Sequence, residues 1–101
     1  MPIPCAIEDY RPYLQGTFTL TEPSGTLRVL RLEEAKSHIE DEFQTCFSLF
    51  FSSTGDALPQ QSYSVRHDTL GEFPLFLVPI RKKRDGILYE AVFNLLKDPA
   101  Q

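Results

Sequence analysis

The sequence predicts a mainly β (all-β class) fold: a small antiparallel six-stranded barrel or sandwich. Apolar and polar residues alternate with period two in several separate runs, and segments rich in Gly, Pro, Asp and Ser bound these runs. Eight prolines against five glycines suit stiff connections between strands better than a helical bundle. The chain has room for a single domain, residues 1–101, with one modest core.

The N-terminal part predicts a lead-in followed by a strand. Residues 6–14 are expected to be irregular or briefly helical, because Pro12 prevents a long helix. Thr17–Thr21 then alternates polar and apolar residues, which is typical of a half-buried strand. The Pro and Gly of residues 22–25 supply the turn that ends it.

Residues 26–32 predict a second strand whose phase is ambiguous. Leu27 and Val29 share one face, whereas Leu30 and Leu32 share the other. Either a bulge shifts the phase near Leu30, or both faces of this strand are partly covered.

The next segments differ in composition. Residues 33–40 are mostly charged and tolerate a helix, so they predict a short helix or a charged loop. Residues 43–52 are dense in Phe and Leu and predict a third strand. A polar connection over residues 53–59 follows it.

The C-terminal half predicts a β-meander that begins with residues 62–67. This run alternates strictly, which places Tyr63, Val65 and His67 on one face. A tight turn over residues 68–71 should end it.

Two further strands complete the meander. Residues 73–80 are apolar on both faces, as in a central strand, and Pro79 should mark a bulge or an end of pairing. Asp85-Gly86 between two apolar runs is a strong hairpin signal, and residues 87–96 form the last predicted strand.

The overall charge and the cysteines limit which binding partners and which cellular compartment the sequence predicts. A net charge of −4 and a pI near 5.0 disfavour binding to nucleic acid or to an anionic membrane. Cys5 and Cys46 have no metal-ligand spacing, no secretory signal opens the chain, and the apolar stretch 74–80 is too short to span a bilayer. The sequence therefore predicts a cytoplasmic protein with two free thiols.

One group of residues predicts a possible pocket. Gln61, Tyr63, His67 and Tyr89 could line the mouth of a barrel, with His67 as a proton-transfer group or ligand. The structural alternative is that Tyr63 and His67 face the core and that His67 bonds the backbone of the following turn, at Thr69 or Gly71. A single His without a second ligand favours the structural alternative.

Other chemistry-bearing residues do not form a recognisable constellation. Cys46 and His67 could pair as a nucleophile and its base, but no Gly-rich turn or helix start beside Cys46 offers an oxyanion hole. The acidic residues of 33–42 are grouped in sequence, which is typical of a solvated face. The sequence predicts no catalytic residue, no metal site and no cofactor.

A basic run departs from the acidic background. Arg81, Lys82, Lys83 and Arg84 hold four of the ten basic residues at a predicted hairpin tip. Such a run can bind an acidic protein surface, or it can simply protect a sheet edge and keep the hairpin soluble. As a binding site it would contact an acidic partner or a second copy of the chain, with the acidic segment 33–42 as its complement.

The chain resembles an uncharacterised bacterial domain family of about its own length over residues 10–94. The resemblance is carried by Leu14-x-Gly16-x-Phe18, Leu30-x-Leu32, Phe47-x-Leu49-x-Phe51, Gln61-x-Tyr63-x-x-x-His67-x-x-Leu70-Gly71, Phe76-x-Val78-Pro79 and Tyr89-Glu90-Ala91-Val92-Phe93-Asn94. It implies a stand-alone domain of unknown function, found beside phage-tail-like genes, with no activity or catalytic residue to transfer. The basic run lies outside this pattern.

These observations predict a non-enzymatic module that binds another protein or a second copy of itself in a tail-like or filamentous assembly. The alternative is a small-molecule binder or small enzyme with its pocket near His67. Nucleic-acid binding through the basic run would be a third function, and the net negative charge disfavours it.

Overall fold

A computed structural model describes residues 3–97. Two short 3-10 turns, Ile7–Asp9 and Arg11–Tyr13, precede the first strand. The strands described are β1 Thr17–Thr21, β2 Leu27–Glu40, β3 Gln44–Thr54, β4 Gln61–His67, β5 Gly71–Lys83 and β6 Gly86–Leu96. The mainly β prediction with six strands is confirmed.

The strands form one antiparallel sheet that closes on itself. Their order around the ring is β1-β2-β3-β6-β5-β4, and β4 returns to β1 through the pairs Thr19↔Arg66 to Thr21↔Ser64. Closure leaves few unpaired strand edges, which would otherwise invite aggregation. Within residues 3–97 no helix is long and apolar enough to cross a membrane.

The core follows the predicted alternation. Tyr63 and Val65 on β4 are buried, and His67 continues the same face at the strand end, as predicted. On β5 the inward residues are buried, but the outward Phe76 and Ile80 are 50% and 43% exposed. The outer face of this strand is thus apolar without being covered.

Residues 33–40 are neither a helix nor a loop, so this prediction is wrong. They continue β2, which pairs with β3 as far as Glu40↔Thr45. The register shifts once between Leu32 and Glu34 and again between Ser37 and Ile39. Each bulge breaks the period-two pattern, so the run loses its strand signature while long-range pairing overrides helix propensity.

The ambiguous phase of the second strand also has a structural answer. Leu30 and Leu32 are fully buried, whereas Leu27 and Val29 are 65% and 62% exposed. No shift occurs near Leu30, because the first bulge lies at Glu33. In β5, Pro79 adjoins a register shift toward Arg81, as predicted for a proline within a strand.

Both ends of the barrel are plugged. At the end where β1 begins, Tyr10 is fully buried and packs with ring centroids 5.7–6.3 Å from Phe47, Phe73 and Phe93. At the other end, the buried Leu58 donates its backbone N–H to the Tyr89 hydroxyl at 2.9 Å. Such plugs leave the outer surface and the strand ends as the places for recognition.

Two hairpin turns lie at opposite ends of the barrel, and we name them by charge. The acidic tip, residues 40–43, joins β2 to β3, and the basic tip, residues 81–85, joins β5 to β6. The β3–β6 ladder of eleven pairs runs from one to the other. Ten residue steps at about 3.4 Å separate the two tips by roughly 34 Å, and the molecule measures 45 × 28 × 24 Å.

Candidate functional site

A groove of about 590 Å³ lies on the outer surface beside the basic tip. Its walls come from β2, the end of β3 and the β5–β6 hairpin. The residues that line it are Val29, Arg31, Glu33, Ser52, Ser53, Thr54, Lys83, Arg84, Asp85, Gly86 and Ile87. We call it the basic-tip groove.

Local sequence explains why the groove forms there. Gly86 lets the hairpin approach β3 closely, because a Cβ at this position would lie 2.0 Å from the Ser53 carbonyl oxygen. On the other side β2 and β3 pair only from Arg31↔Ser52 onward. The Ser53 hydroxyl donates to the Val29 carbonyl at 2.8 Å and ties the diverging strands together across the groove floor.

The groove combines positive charge with an apolar floor. Arg31 donates from Nη2 to the Gln15 Oε1 at 2.6 Å, and its Nε lies 3.9 Å from the Glu33 carboxylate. Glu33 also accepts a hydrogen bond from the Ser52 hydroxyl, so this carboxylate is already engaged. Lys83 and Arg84 are exposed and form no ion pair or side-chain hydrogen bond within residues 3–97. They are therefore free to meet an incoming carboxylate beside Val29 and Ile87.

The basic residues predicted from sequence thus fall into two groups. Lys83 and Arg84 line the groove, whereas Arg81 and Lys82 lie on the exposed, β6-paired part of the hairpin. Sequence reasoning missed Arg31, because it lies 50 residues away on a strand that only the fold brings near.

Three of the four predicted pocket residues lie at one end of the barrel, and His67 does not join them. The Tyr63 hydroxyl donates to the Pro59 carbonyl, and the nearby Tyr89 hydroxyl accepts from the backbone N–H of Leu58. Burial, and secondarily Tyr89, raises the pKa of Tyr63. Gln61 is the first residue of β4 and lies at this same end of the barrel. The two tyrosine side chains hold the 55–60 loop against the barrel.

His67 lies at the opposite end of β4, six residues and about 20 Å from Gln61. Its ring centroid is 4.4 Å from that of Tyr13 and 4.6 Å from that of Phe18. Its Nδ1 accepts backbone N–H bonds from Thr69 at 3.0 Å and Leu70 at 3.2 Å. These contacts match the structural alternative, in which His67 organises the turn that follows it.

Cys46 cannot serve as a nucleophile with His67. The two residues lie on β3 and β4, which stand on opposite sides of the ring. Both Cys46 and Cys5 are free thiols. Within residues 3–97 no group of three or more His, Cys, Asp or Glu side chains is placed to share a metal ion.

A polar chain that the sequence did not indicate crosses three strands on the outer face. The fully buried Ser48 donates from its hydroxyl to the Glu90 carboxylate at 2.6 Å, and its oxygen lies 2.8 Å from Nε2 of His38. In a serine hydrolase the His stands between the Ser and the carboxylate, whereas here the Ser stands between the other two. This hydrogen-bonded series therefore links β2, β3 and β6 in an order that differs from that of a serine hydrolase.

The acidic tip is a rigid turn with two outward side chains. Asp41 accepts backbone N–H bonds from Phe43 at 2.8 Å and Gln44 at 2.9 Å, and these bonds lower the pKa of Asp41. The Lys97 ammonium binds the Glu40 carboxylate, and the Thr45 hydroxyl donates a hydrogen bond to it. The contact with Lys97, and secondarily that with Thr45, lowers the pKa of Glu40.

The remaining side chains of the acidic tip point to solvent. Phe43 is 58% exposed, and Glu42 is exposed with no ion pair among the described residues. The acidic tip thus presents an exposed phenyl ring beside a carboxylate that is unpaired within residues 3–97. The basic-tip groove presents apolar side chains beside cations that are also unpaired in this range.

Comparison with known proteins gives a family and no activity. No curated protein and no solved structure matches this chain. A family model described as a domain of unknown function (DUF6916) matches residues 5–93, which covers both plugs, all of β1 to β5, and most of β6. The resemblance seen in the sequence is confirmed to this extent, while a bacterial origin and a link to phage tails stay predictions. The chain belongs to the DUF6916 family of domains of unknown function.

Proposed function

We propose that this domain is a non-enzymatic protein-interaction module that binds an acidic segment of a partner chain in the basic-tip groove. The observation that carries the proposal is the meeting of Arg31, Lys83 and Arg84 with the apolar Val29 and Ile87 in one groove. Such a surface suits a short segment with a carboxylate next to an apolar side chain.

Two features favour a protein partner over the other candidates. The net charge of −4 repels a polyanion, and the groove also contains the carboxylates of Glu33 and Asp85. A small-molecule site near His67 has little support, because Tyr63 and Tyr89 are committed to the loop at the far end. A short, mixed-charge groove fits a peptide segment best.

Assembly into a tail-like or filamentous structure, in a bacterial setting, is the finer form of this proposal. It is supported by the elongated shape, 45 × 28 × 24 Å, and by charged turns of opposite sign at the two ends. A module of this shape can join neighbouring subunits along one axis.

The test uses fluorescein-labelled peptides of the sequence Ser-Gly-Asp-Glu-Phe-Gly-Ser and, as control, Ser-Gly-Asn-Gln-Phe-Gly-Ser. We expect the acidic peptide to bind the protein, measured by fluorescence anisotropy, and to bind more weakly as salt rises. The double variant Lys83→Ala/Arg84→Ala should lose about tenfold in affinity, since each exposed charge contributes up to about 1 kcal/mol.

The matched control is Lys36→Ala/Arg66→Ala, which removes two exposed basic residues outside the groove. This variant should bind the acidic peptide like the wild type, apart from a small change from the net charge. Equal losses in the two double variants, or equal binding of the acidic and amide peptides, would contradict the proposal.

A further inference from the structure

We infer that the acidic tip of a second copy of this chain occupies the basic-tip groove, so that molecules associate head to tail. The inference rests on the proposed function and names the partner. Its basis is the complementarity between the two ends of the molecule in charge, in apolar character and in position.

The charges of the two tips are opposite and largely unneutralised. Residues 40–42 carry three carboxylates, against which Lys97 supplies one positive charge. Residues 81–85 carry four positive charges and the single carboxylate of Asp85. Two copies that approach with unlike ends facing are therefore steered together, and like ends repel.

Side-chain chemistry at each tip supplies the specific contact. Phe43 exposes 58% of its surface, and the groove offers it the outward Val29, itself 62% exposed, beside the mostly buried Ile87. Glu42 precedes Phe43 directly, so its carboxylate enters with the ring and meets Lys83 and Arg84. An aromatic ring packed against an exposed apolar side chain, with its neighbouring carboxylate paired, is a suitable interface anchor.

The acidic tip is already held in one shape. The Asp41 carboxylate fixes the Phe43 and Gln44 backbones, and the Phe43 carbonyl accepts the N–H of Lys97 at 2.8 Å. Little conformational entropy is then lost when the tip enters a groove, which favours affinity.

The barrel prevents a molecule from satisfying its own groove. The β3–β6 ladder, paired without interruption from Gln44↔Leu96 to Thr54↔Gly86, separates the two tips by roughly 34 Å. The contact is therefore between copies and heterologous, and repeated use of it gives a chain or a ring.

Two variants with complementary defects provide the test. Lys83→Glu/Arg84→Glu destroys the groove and keeps the acidic tip, whereas Glu42→Gln/Phe43→Ala destroys the tip and keeps the groove. All four positions are exposed, so thermal melting by circular dichroism should show folded proteins close to the wild type. Sedimentation velocity then measures the size of each species over a range of concentrations.

The wild type should grow beyond a dimer as its concentration rises, and moderate salt should reverse the growth. Each variant alone should remain monomeric, because it keeps only one of the two surfaces. An equimolar mixture of the two should give a dimer and stop there, since the dimer has no intact pair of surfaces left. The control Lys36→Ala/Arg66→Ala should assemble like the wild type.

Several outcomes would overturn the inference. The inference fails if the wild type stays monomeric at high concentration or if the mixture does not dimerise. It also fails if the groove variant assembles like the wild type, and that result would place the interface elsewhere, for example on the apolar outer face of β5. If the acidic peptide binds while the wild type stays monomeric, only the self-association fails and another acidic protein is the partner. If neither the peptide nor a second copy binds, the proposed function fails as well.

Discussion

Gly86 links the stability of the barrel to the shape of the groove, and its replacement by Ala tests that link. An added Cβ would lie 2.0 Å from the Ser53 carbonyl oxygen and 2.9 Å from Cα of Thr54. All of these neighbours are backbone, so no rotamer change relieves the overlap. The hairpin would have to move away from β3, where Thr54↔Gly86 and Ser53↔Ile87 pair.

The size of the effect follows from what that movement breaks. About two backbone hydrogen bonds at roughly 1 kcal/mol each are weakened, and Ile87, now 8% exposed, loses part of its burial. The free energy of unfolding should fall by about 2–4 kcal/mol, which corresponds to a Tm lower by roughly 10–25 °C for a domain of this size. Urea and thermal denaturation followed by circular dichroism measure it.

Gly25→Ala is the matched control, because it makes the same change in another turn. Gly25 has φ +92° and no atom within 4 Å of an added Cβ, so only backbone conformation is penalised, by about 1–2 kcal/mol. Gly86→Ala should cost more stability and should also weaken peptide binding in the groove. A Gly86→Ala protein as stable as the wild type, or more stable than Gly25→Ala, would refute the close approach that shapes the groove.

Two further predictions concern the plug and the acidic tip. Tyr10→Phe should lower the free energy of unfolding by about 1 kcal/mol, because the 2.6 Å hydrogen bond to the Pro4 carbonyl is lost. Tyr10→Ala should lower it by about 3–5 kcal/mol, because it leaves a cavity among three Phe side chains. Urea denaturation measures both, and equal losses would contradict this packing of the ring. Backbone bonds from Phe43 and Gln44 lower the pKa of Asp41, so its contribution to stability is complete above the unfolded pKa near 3.9 and is lost as pH falls through the lower folded value. Asp41→Ala should therefore lower the Tm at neutral pH and converge with the wild type in strong acid, and a constant difference across that range would contradict the role of its carboxylate.

Most strands were predictable because their alternation is unbroken. Tyr63 and Val65 alternate with polar residues and are buried, and the Asp85-Gly86 turn closes the expected hairpin. Residues 33–40 were not predictable as a strand, because the bulges at Glu33 and His38 shift the register twice within eight residues. A bulge preserves pairing in space while it erases the period in sequence.

The candidate site was predictable only where its residues are contiguous. The run Arg81–Arg84 stands out in any reading of the sequence, but its groove depends on Arg31 and Val29 from a distant strand. The same holds for Ser48, whose partners His38 and Glu90 lie 10 and 42 residues away. Contacts across a sheet depend on register, which local pattern does not specify when bulges intervene.

Unequal strand lengths explain why recognition is expected at the tips. β2 pairs with β1 through Leu27–Arg31 and then with β3 as far as Glu40, while β5 pairs with β4 up to Leu77 and with β6 beyond it. Each of these two long strands therefore pairs with one neighbour inside the barrel and with another beyond it. As a result, the β2–β3 hairpin extends past one end of the plugged barrel and the β5–β6 hairpin past the other end. Because backbone pairing holds both hairpins along β3 and β6, their charged turns are displayed on rigid supports, and a rigid display binds with less loss of entropy than a loop of the same composition.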